Sequence, residues 1–350
     1  MIKKIKIGNS FIEENKTTIV AEISGNHGGK INNLKKLILK AKRSKCDAIK
    51  IQAYQADTIT INSKKKNFLI KKDNTWKKYN NLFSLYKKAE TPFKWYNEIF
   101  KYCRKIKITA FASVFDKSSV DLLEKLNCPA YKIASPEITD IPLISYVAKT
   151  KKPIILSNGL ADLRDLKLAF NTIKKERNNK IIILKCTSAY PAPENEINLV
   201  SMKKMKKIFK CHVGFSDHTI GIHTPIHASS LGASMIEKHI CLSKNSKTID
   251  GFFSSTPEDF SKMIDIIKAN KISSGKVSLN ISKSSKKNLN GRRSLYVIKD
   301  IKKGEKINLE NVRSIRPRFG LHPKYLRKVI NRRVKINLKA GEPLKFSAIK

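Results

Sequence analysis

The chain has no apolar run approaching the roughly 20 residues a membrane-spanning helix needs. Its opening segment, MIKKIKIGNSF, lacks the sustained apolar stretch and small-residue cleavage site of a secretory leader. A cytoplasmic protein without a membrane partner is therefore expected. No two of the six cysteines (Cys46, Cys103, Cys128, Cys186, Cys211, Cys241) stand in C-x-x-C spacing, and most sit beside apolar residues. That scatter argues for reduced, buried thiols over disulfides or a thiolate metal site. Acidic residues are scarce, 28 against 72 Lys and Arg, which gives a net charge of +44. Such basicity alone would suggest a nucleic-acid partner. However, clusters such as Lys64 to Lys66 and Lys203 to Lys207 have no interleaved aromatics on which bases would stack. Arg is also rare beside Lys, while Asn and Ile are abundant. This composition reads as AT-rich coding bias, and no nucleic-acid partner is expected.

With 350 residues, 41% of them hydrophobic, the chain has enough apolar material for a large core and a small second domain. Eight short runs rich in Ile, Val and Ala recur with helical patterns between them: Thr18 to Ile23, Ala48 to Gln52, Ile108 to Ser113, Ala130 to Ala134, Pro153 to Ser157, Lys180 to Lys185, Val213 to Ser216, and Ser234 to Lys238. Eight β-then-α units over about 250 residues is the count and length of an α/β TIM barrel. A long polar excursion, Ala56 to about Arg104, follows the second run at a usual place for a substrate lid. The stretch from Lys271 to Asn290 turns Ser, Lys and Asn-rich. The expected division is a barrel over 1–272, a linker over 273–291, and a compact C-terminal domain over 292–350 with short strands, Gly turns and one helix.

The stretch Val213 to His239 organises the functional reading. His218 and His239 each follow one of two successive strand candidates, so parallel neighbouring strands would bring both imidazoles to one rim. A histidine after a strand is more often a hydrogen-bonded structural residue than a ligand. The other polar strand ends tilt the balance, because Glu22, Lys50, Gln52, Ser113, Lys132, Ser135, Ser157, Lys185 to Ser188, Ser216 and Glu237 would gather at the same face. Lysines inside a barrel mouth are costly unless paired, which favours a functional reading of Lys50 and Lys132 over a structural one. With hydroxyls from Ser135, Ser157 and Ser216 they suit a phosphate and a carboxylate together. Two neutral histidines leave a divalent ion open positions for water or substrate, and a mixed nitrogen and oxygen site suits Mn²⁺, Co²⁺ or Zn²⁺ better than Mg²⁺ alone. Mn²⁺ is the expected ion, with Mg²⁺ or Co²⁺ as alternatives. Glu22 and Glu137 are each either a proton-moving or orienting carboxylate or a lysine's ion-pair partner. His223 and His227, between the two rim histidines, read as loop or helix residues.

The motifs AEISGNHGG, KIQAYQADTIT, FASVFD, YKIASPE, LKCTSAYP, GFSDHTIG and IEKHI, in this order, resemble the sialic acid synthase family, which carries a C-terminal antifreeze-like (SAF, β-clip) domain. The resemblance covers nearly the whole chain. It implies a transferase that condenses phosphoenolpyruvate with an open-chain N-acylated amino sugar and releases phosphate. Carried over motif by motif, Lys50, Lys132, Ser135, Ser157 and Ser216 would hold phosphoenolpyruvate, and His218 and His239 the metal. Glu22, Gln52, Tyr190 and Asp250 would face the sugar or the reacting carbons. Arg316 resembles the family arginine that reaches a neighbouring subunit's site, which implies a domain-swapped homodimer. Ser188 stands where the family often has Asn, Ser113 where it often has Thr, and SNG at Ser157 to Gly159 replaces the commoner STG. A non-catalytic basic barrel that binds RNA would be expected to have broken rim residues, whereas Lys50, Lys132, His218 and His239 are all present.

Overall fold

The β-branched runs cannot each bury both faces alone, and a closed parallel barrel wrapped by helices does this for all of them at once. In the computed structural model, which describes residues 2–72 and 74–350, such a barrel forms. A hairpin of β1 (Ile5–Ile7) and β2 (Ser10–Ile12) precedes it. The barrel strands are β3 (Thr18–Glu22), β4 (Ala48–Ala53), β5 (Thr109–Val114), β6 (Tyr131–Ile133), β7 (Ile154–Ser157), β8 (Ile181–Cys186), β9 (His212–Asp217) and β10 (Met235–His239). They follow one another around the barrel, and β10 closes it against β3. All eight sequence candidates are strands, with ends displaced by a residue or so.

Register decides which polar residues meet. His239 lies opposite Glu22, and Glu22 opposite Lys50. Gln52 lies opposite Ser113, and Ser113 opposite Lys132. Glu237 lies opposite Ser216, and Ser216 opposite Cys186. The strands' carboxyl ends thus bring three short rows of polar side chains to one mouth.

The polar excursion after β4 contains helices Ala56–Ile59 and Leu82–Ala89. The barrel helix itself is Tyr96–Lys105, which buries Tyr96, Ile99, Phe100 and Cys103. The insertion is thus shorter than the sequence suggests, because that helix resumes the apolar period before Arg104. All six cysteines are free and buried. Among the described residues, no helix is long and apolar enough to cross a membrane.

The chain divides into two compact units, Met1–Gly275 and Lys276–Lys350. Helix Pro257–Ser274 continues through Lys271, where composition alone suggests linker, and stops at Gly275. In the second unit, β11 (Ser294–Val297) pairs antiparallel with β12 (Val312–Ile315), and a one-turn helix spans Leu326–Val329. Leu295, Val297, Ile307, Val312, Val334 and Leu344 make its core.

β9 carries Gly214 for a steric reason. A Cβ there would strike the Met235 carbonyl oxygen and lie 2.8 Å from Leu184 Cδ2. Gly214→Ala therefore forces β9 away from β10, at an expected cost of about 1–3 kcal/mol by analogy with overpacked cores. The check is a reduced urea midpoint, and an unchanged midpoint would show that the strands yield freely.

Candidate active site

Four buried charges form the centre of the barrel mouth. Lys50, on β4, touches the Glu22 carboxylate of β3 and lies 3.6 Å from Glu237 Oε1 of β10. Lys132 Nζ, on β6, donates to the same Glu237 oxygen at 2.8 Å. Ser216 donates to it at 3.0 Å, and Lys50 donates to Ser113 Oγ at 3.0 Å. Both lysines are almost wholly buried. Burial opposes the charge on Glu237, yet Lys132 and Lys50 hold its carboxyl down at about 2. Burial would likewise depress Lys50, but Glu22 and Glu237 hold it above the usual lysine value. For Lys132, burial and the nearby Lys50 prevail and draw the ammonium down, against the pull of Glu237. Glu22 therefore serves as an ion-pair partner, one of the two roles its position allows. Glu237, seen in the sequence only as one polar strand end among many, bridges both lysines. Its signal was the alternation in MIEKH, which turns Glu237 to one side of the strand and Lys238 to the other.

The two histidines stand at the same mouth, with ring centroids 5.6 Å apart. His218 Nδ1 lies 3.0 Å from the Thr187 carbonyl, which can only accept, so that nitrogen carries the N–H. His239 Nδ1 is buried without a hydrogen-bond partner and lies 3.6 Å from Asp250 Oδ2. Burial, followed by the neighbouring cations, keeps the His239 imidazole neutral, well below its usual value. Burial and then Glu22 push the Asp250 carboxyl up to about 7. Tyr190 packs against His218 with ring centroids 4.5 Å apart and the planes tilted by 47°. Among the described residues no three or more His, Cys, Asp or Glu side chains gather in ligating geometry. The His218 and His239 imidazoles, the latter with an unpartnered Nδ1, nonetheless fit a divalent ion whose remaining ligands are water and substrate oxygens.

The remaining candidates border this centre. Ser135 Oγ accepts from Gly159 N at 2.8 Å, so the chain after β7 is fastened to the chain after β6. Ser188 Oγ lies 3.9 Å from Cys186 Sγ. Glu137 is pushed up to about 7 by burial, and its Oε2 has no partner. Gln52 is held through its backbone, its N–H donating to Ser24 Oγ at 2.6 Å and its carbonyl accepting from Tyr96 at 2.6 Å. His223 and His227 lie on helix His223–Ser230, where His223 meets Glu194 at 2.6 Å in an exposed pair. Arg316 follows β12 in the second unit and is exposed.

Buried polar atoms are normally satisfied. Here Glu137 Oε2, Ser157 Oγ, Glu237 Oε2 and His239 Nδ1 are all buried without hydrogen-bond partners, and all belong to this mouth. Together with the lysine pair they describe a receptor for a polar ligand that both accepts and donates hydrogen bonds.

Fold and site define a TIM-barrel enzyme with a buried charge cluster at its carboxyl-end mouth. The chain belongs to the NeuB family, whose sequence model matches residues 37–278, and it carries a SAF domain over residues 292–350. It is 43% identical over 327 residues to the pseudaminic acid synthase of Helicobacter pylori, covering 93% of this chain and 96% of that one. It is 40% identical over 343 residues to the pseudaminic acid synthase of Campylobacter jejuni, covering 98% and 99%. Among solved structures, the N-acetylneuraminic acid synthetase of Leptospira borgpetersenii, in complex with citrate, superposes with a TM-score of 0.71 at 29% identity, covering 83% of this chain and 96% of that one.

The charge cluster makes a stability prediction. Glu237→Leu leaves two buried ammonium groups facing one carboxylate, with an expected loss of about 3–5 kcal/mol. Removing one of those cations as well, in Lys132→Met/Glu237→Leu, should recover part of it. Urea unfolding of both variants reads this out, and a Glu237→Leu loss below about 1 kcal/mol would contradict the bridging role.

Proposed function

We propose that the protein is a pseudaminic acid synthase, joining phosphoenolpyruvate to 2,4-diacetamido-2,4,6-trideoxy-β-L-altropyranose with water and releasing phosphate. The observation that carries this reading is the 43% identity to the Helicobacter pylori enzyme over nearly both full lengths. The intact rim of Lys50, Lys132, His218 and His239 supports it. So do the segments KIQAYQADTITINSKKKNFLI, LYKKAETPFKWYNEIF and SIRPRFGLHPKY, which resemble that synthase most within the family.

In the proposed reaction, C3 of phosphoenolpyruvate bonds to the aldehyde carbon of the open-chain sugar, water adds at C2, and C2 expels phosphate by C–O cleavage. A divalent ion bound at His218 and His239, Mn²⁺ first, would supply Lewis acidity at the aldehyde oxygen. Lys50 and Lys132 would neutralise phosphate and carboxylate, and the incoming anion would compete with Glu237 for them. The open Ser157 hydroxyl can donate to the same anion. Glu137, titrating near 7, can give a proton to the developing alkoxide or accept one from attacking water at neutral pH. Glu22, ion-paired with Lys50, orients that lysine. The enzyme is proposed to work in the cytoplasm as a homodimer in which Arg316 of each copy completes the other's site.

The first test is phosphate release from phosphoenolpyruvate with Mn²⁺, offering in parallel the diacetamido altrose sugar, the corresponding mannose sugar and N-acetylmannosamine. Release with the altrose sugar alone, abolished by chelation and restored by Mn²⁺, is expected for the wild type. His218→Ala and His239→Ala should each fold and fail to recover with Mn²⁺. Release with another sugar would move the assignment to legionaminate or N-acetylneuraminate synthesis, and no release would overturn the reaction. For the dimer, mixing Arg316→Ala with Lys50→Ala protein should restore up to about a quarter of the sites, the share expected from random pairing. No recovery despite subunit exchange would refute a shared site.

A further inference from the structure

The aromatic residues around the two histidines extend beyond what the proposed reaction uses. Phe253 is buried, with its ring 4.8 Å from His239, 6.0 Å from His218 and 5.3 Å from Tyr190. Phe252 packs on Phe253 at 5.0 Å but is 44% exposed. Trp76, from the insertion after β4, completes the set, tilted against Tyr190 at 5.4 Å and edge-on to Phe252 at 6.3 Å.

The insertion is fastened at this point. Trp76 Nε1 donates to the Ile249 carbonyl at 3.1 Å, and Thr75 Oγ1 donates to the Tyr190 carbonyl at 3.1 Å. Trp76 is therefore held in place yet only half-buried. Its neighbours Tyr190 and Phe252 are also partly open. A core would bury these faces. Partly open aromatic faces one ring away from catalytic-site imidazoles are instead the usual lining of a small-molecule pocket, where a few polar groups orient the ligand and apolar walls take the rest.

We propose that Trp76, with Phe252 and Tyr190, forms an apolar lip over the two-histidine site that receives the methyl substituents of the sugar. It thereby selects a 6-deoxy, N-acylated sugar over one with a hydroxyl at C6. The inference rests on the reaction proposed above and names the part of the chain that chooses its sugar. A C6 methyl and acetamido methyls gain by leaving water against indole and phenyl faces, whereas a C6 hydroxyl brought there gives up water hydrogen bonds without a partner. Trp76 acts as a specificity residue and needs no contact with the reacting carbons.

Steady-state kinetics on Trp76→Ala and Trp76→Phe tests the idea. For Trp76→Ala the KM for the diacetamido sugar should rise about 10- to 100-fold, the range typical of one lost apolar contact. The KM for phosphoenolpyruvate should stay unchanged, and the preference over N-acetylmannosamine should shrink. Trp76→Phe keeps an aromatic face and loses the hydrogen bond to Ile249, so it should recover most of the sugar affinity. An unchanged sugar KM in Trp76→Ala would overturn the proposal. So would a phosphoenolpyruvate KM that rises in step, or a Trp76→Phe protein as impaired as Trp76→Ala, since both are signatures of a purely anchoring role.

A second readout separates this inference from the reaction itself. The chain has two tryptophans, so Trp95→Phe leaves Trp76 as the only indole emitter. Saturable change in its emission on titrating the diacetamido sugar, weaker with N-acetylmannosamine, supports the lip even if no phosphate is released. The absence of any change with either sugar overturns it, even if the wild type turns over.

Discussion

The mouth of this barrel depends on one arrangement, two ammonium groups and two carboxylates removed from water together. Lys50, Lys132, Glu22 and Glu237 come from β4, β6, β3 and β10, so no two lie on the same strand. Each charge alone in the barrel would be prohibitively desolvated, and any one removed leaves the others uncompensated. The four therefore have to be assembled by the fold, and the strand register that opposes Glu22 to Lys50 does half of this work. The network is balanced but not saturated, because Glu237 Oε2 is left open. Four buried charges thus balance without leaving either cation unpaired.

A second buried pair supports the first from the other side of the strands. Lys238 Nζ donates to Asp217 Oδ2 at 2.6 Å and to the Thr219 carbonyl at 2.7 Å. Asp217 and Lys238 each stand one residue before a histidine of the mouth, and they lie opposite one another in register. The alternation of a strand sends Glu237 to one side and Lys238 to the other. Consequently, the tips of β9 and β10 are clamped by ions on one side while presenting His218 and His239 at the end. A site needing two imidazoles at fixed separation benefits from supports that are themselves locked.

The barrel was legible because fully buried parallel strands are nearly continuous apolar runs, and eight such runs at βα spacing leave little other choice. Lys50, Lys132, His218 and His239 were legible for a related reason, as polar residues that interrupt or end those runs. Glu237 was harder to weigh. It sits directly before Lys238, so the two read as a local opposite-charge pair, whereas they face apart and answer to different partners. Trp76 was invisible in another way. It lies in a polar segment with no apolar period, and its position follows from one hydrogen bond to Ile249 and from packing on Tyr190 that no spacing encodes. Likewise, Lys271 to Ser274 look like linker by composition, but a helix already running from Pro257 carries them along until Gly275.

The large positive charge can be placed by the same bookkeeping of buried groups. Among the described residues the buried lysines are Lys50, Lys132 and Lys238. Each meets a buried carboxylate, Glu22, Glu237 and Asp217 respectively. The interior is thus close to neutral, and the excess of +44 belongs to solvated side chains. Surface charge of this kind is screened within about 8–10 Å at physiological salt, so it cannot tune the groups inside the mouth. What it can do is raise the encounter rate of a small anion with the protein, an effect that fades as salt rises. On the proposed function, binding strength and encounter rate would be set by separate populations of lysine. The first is matched residue by residue and fixed by register, whereas the second is diffuse and free to drift with composition.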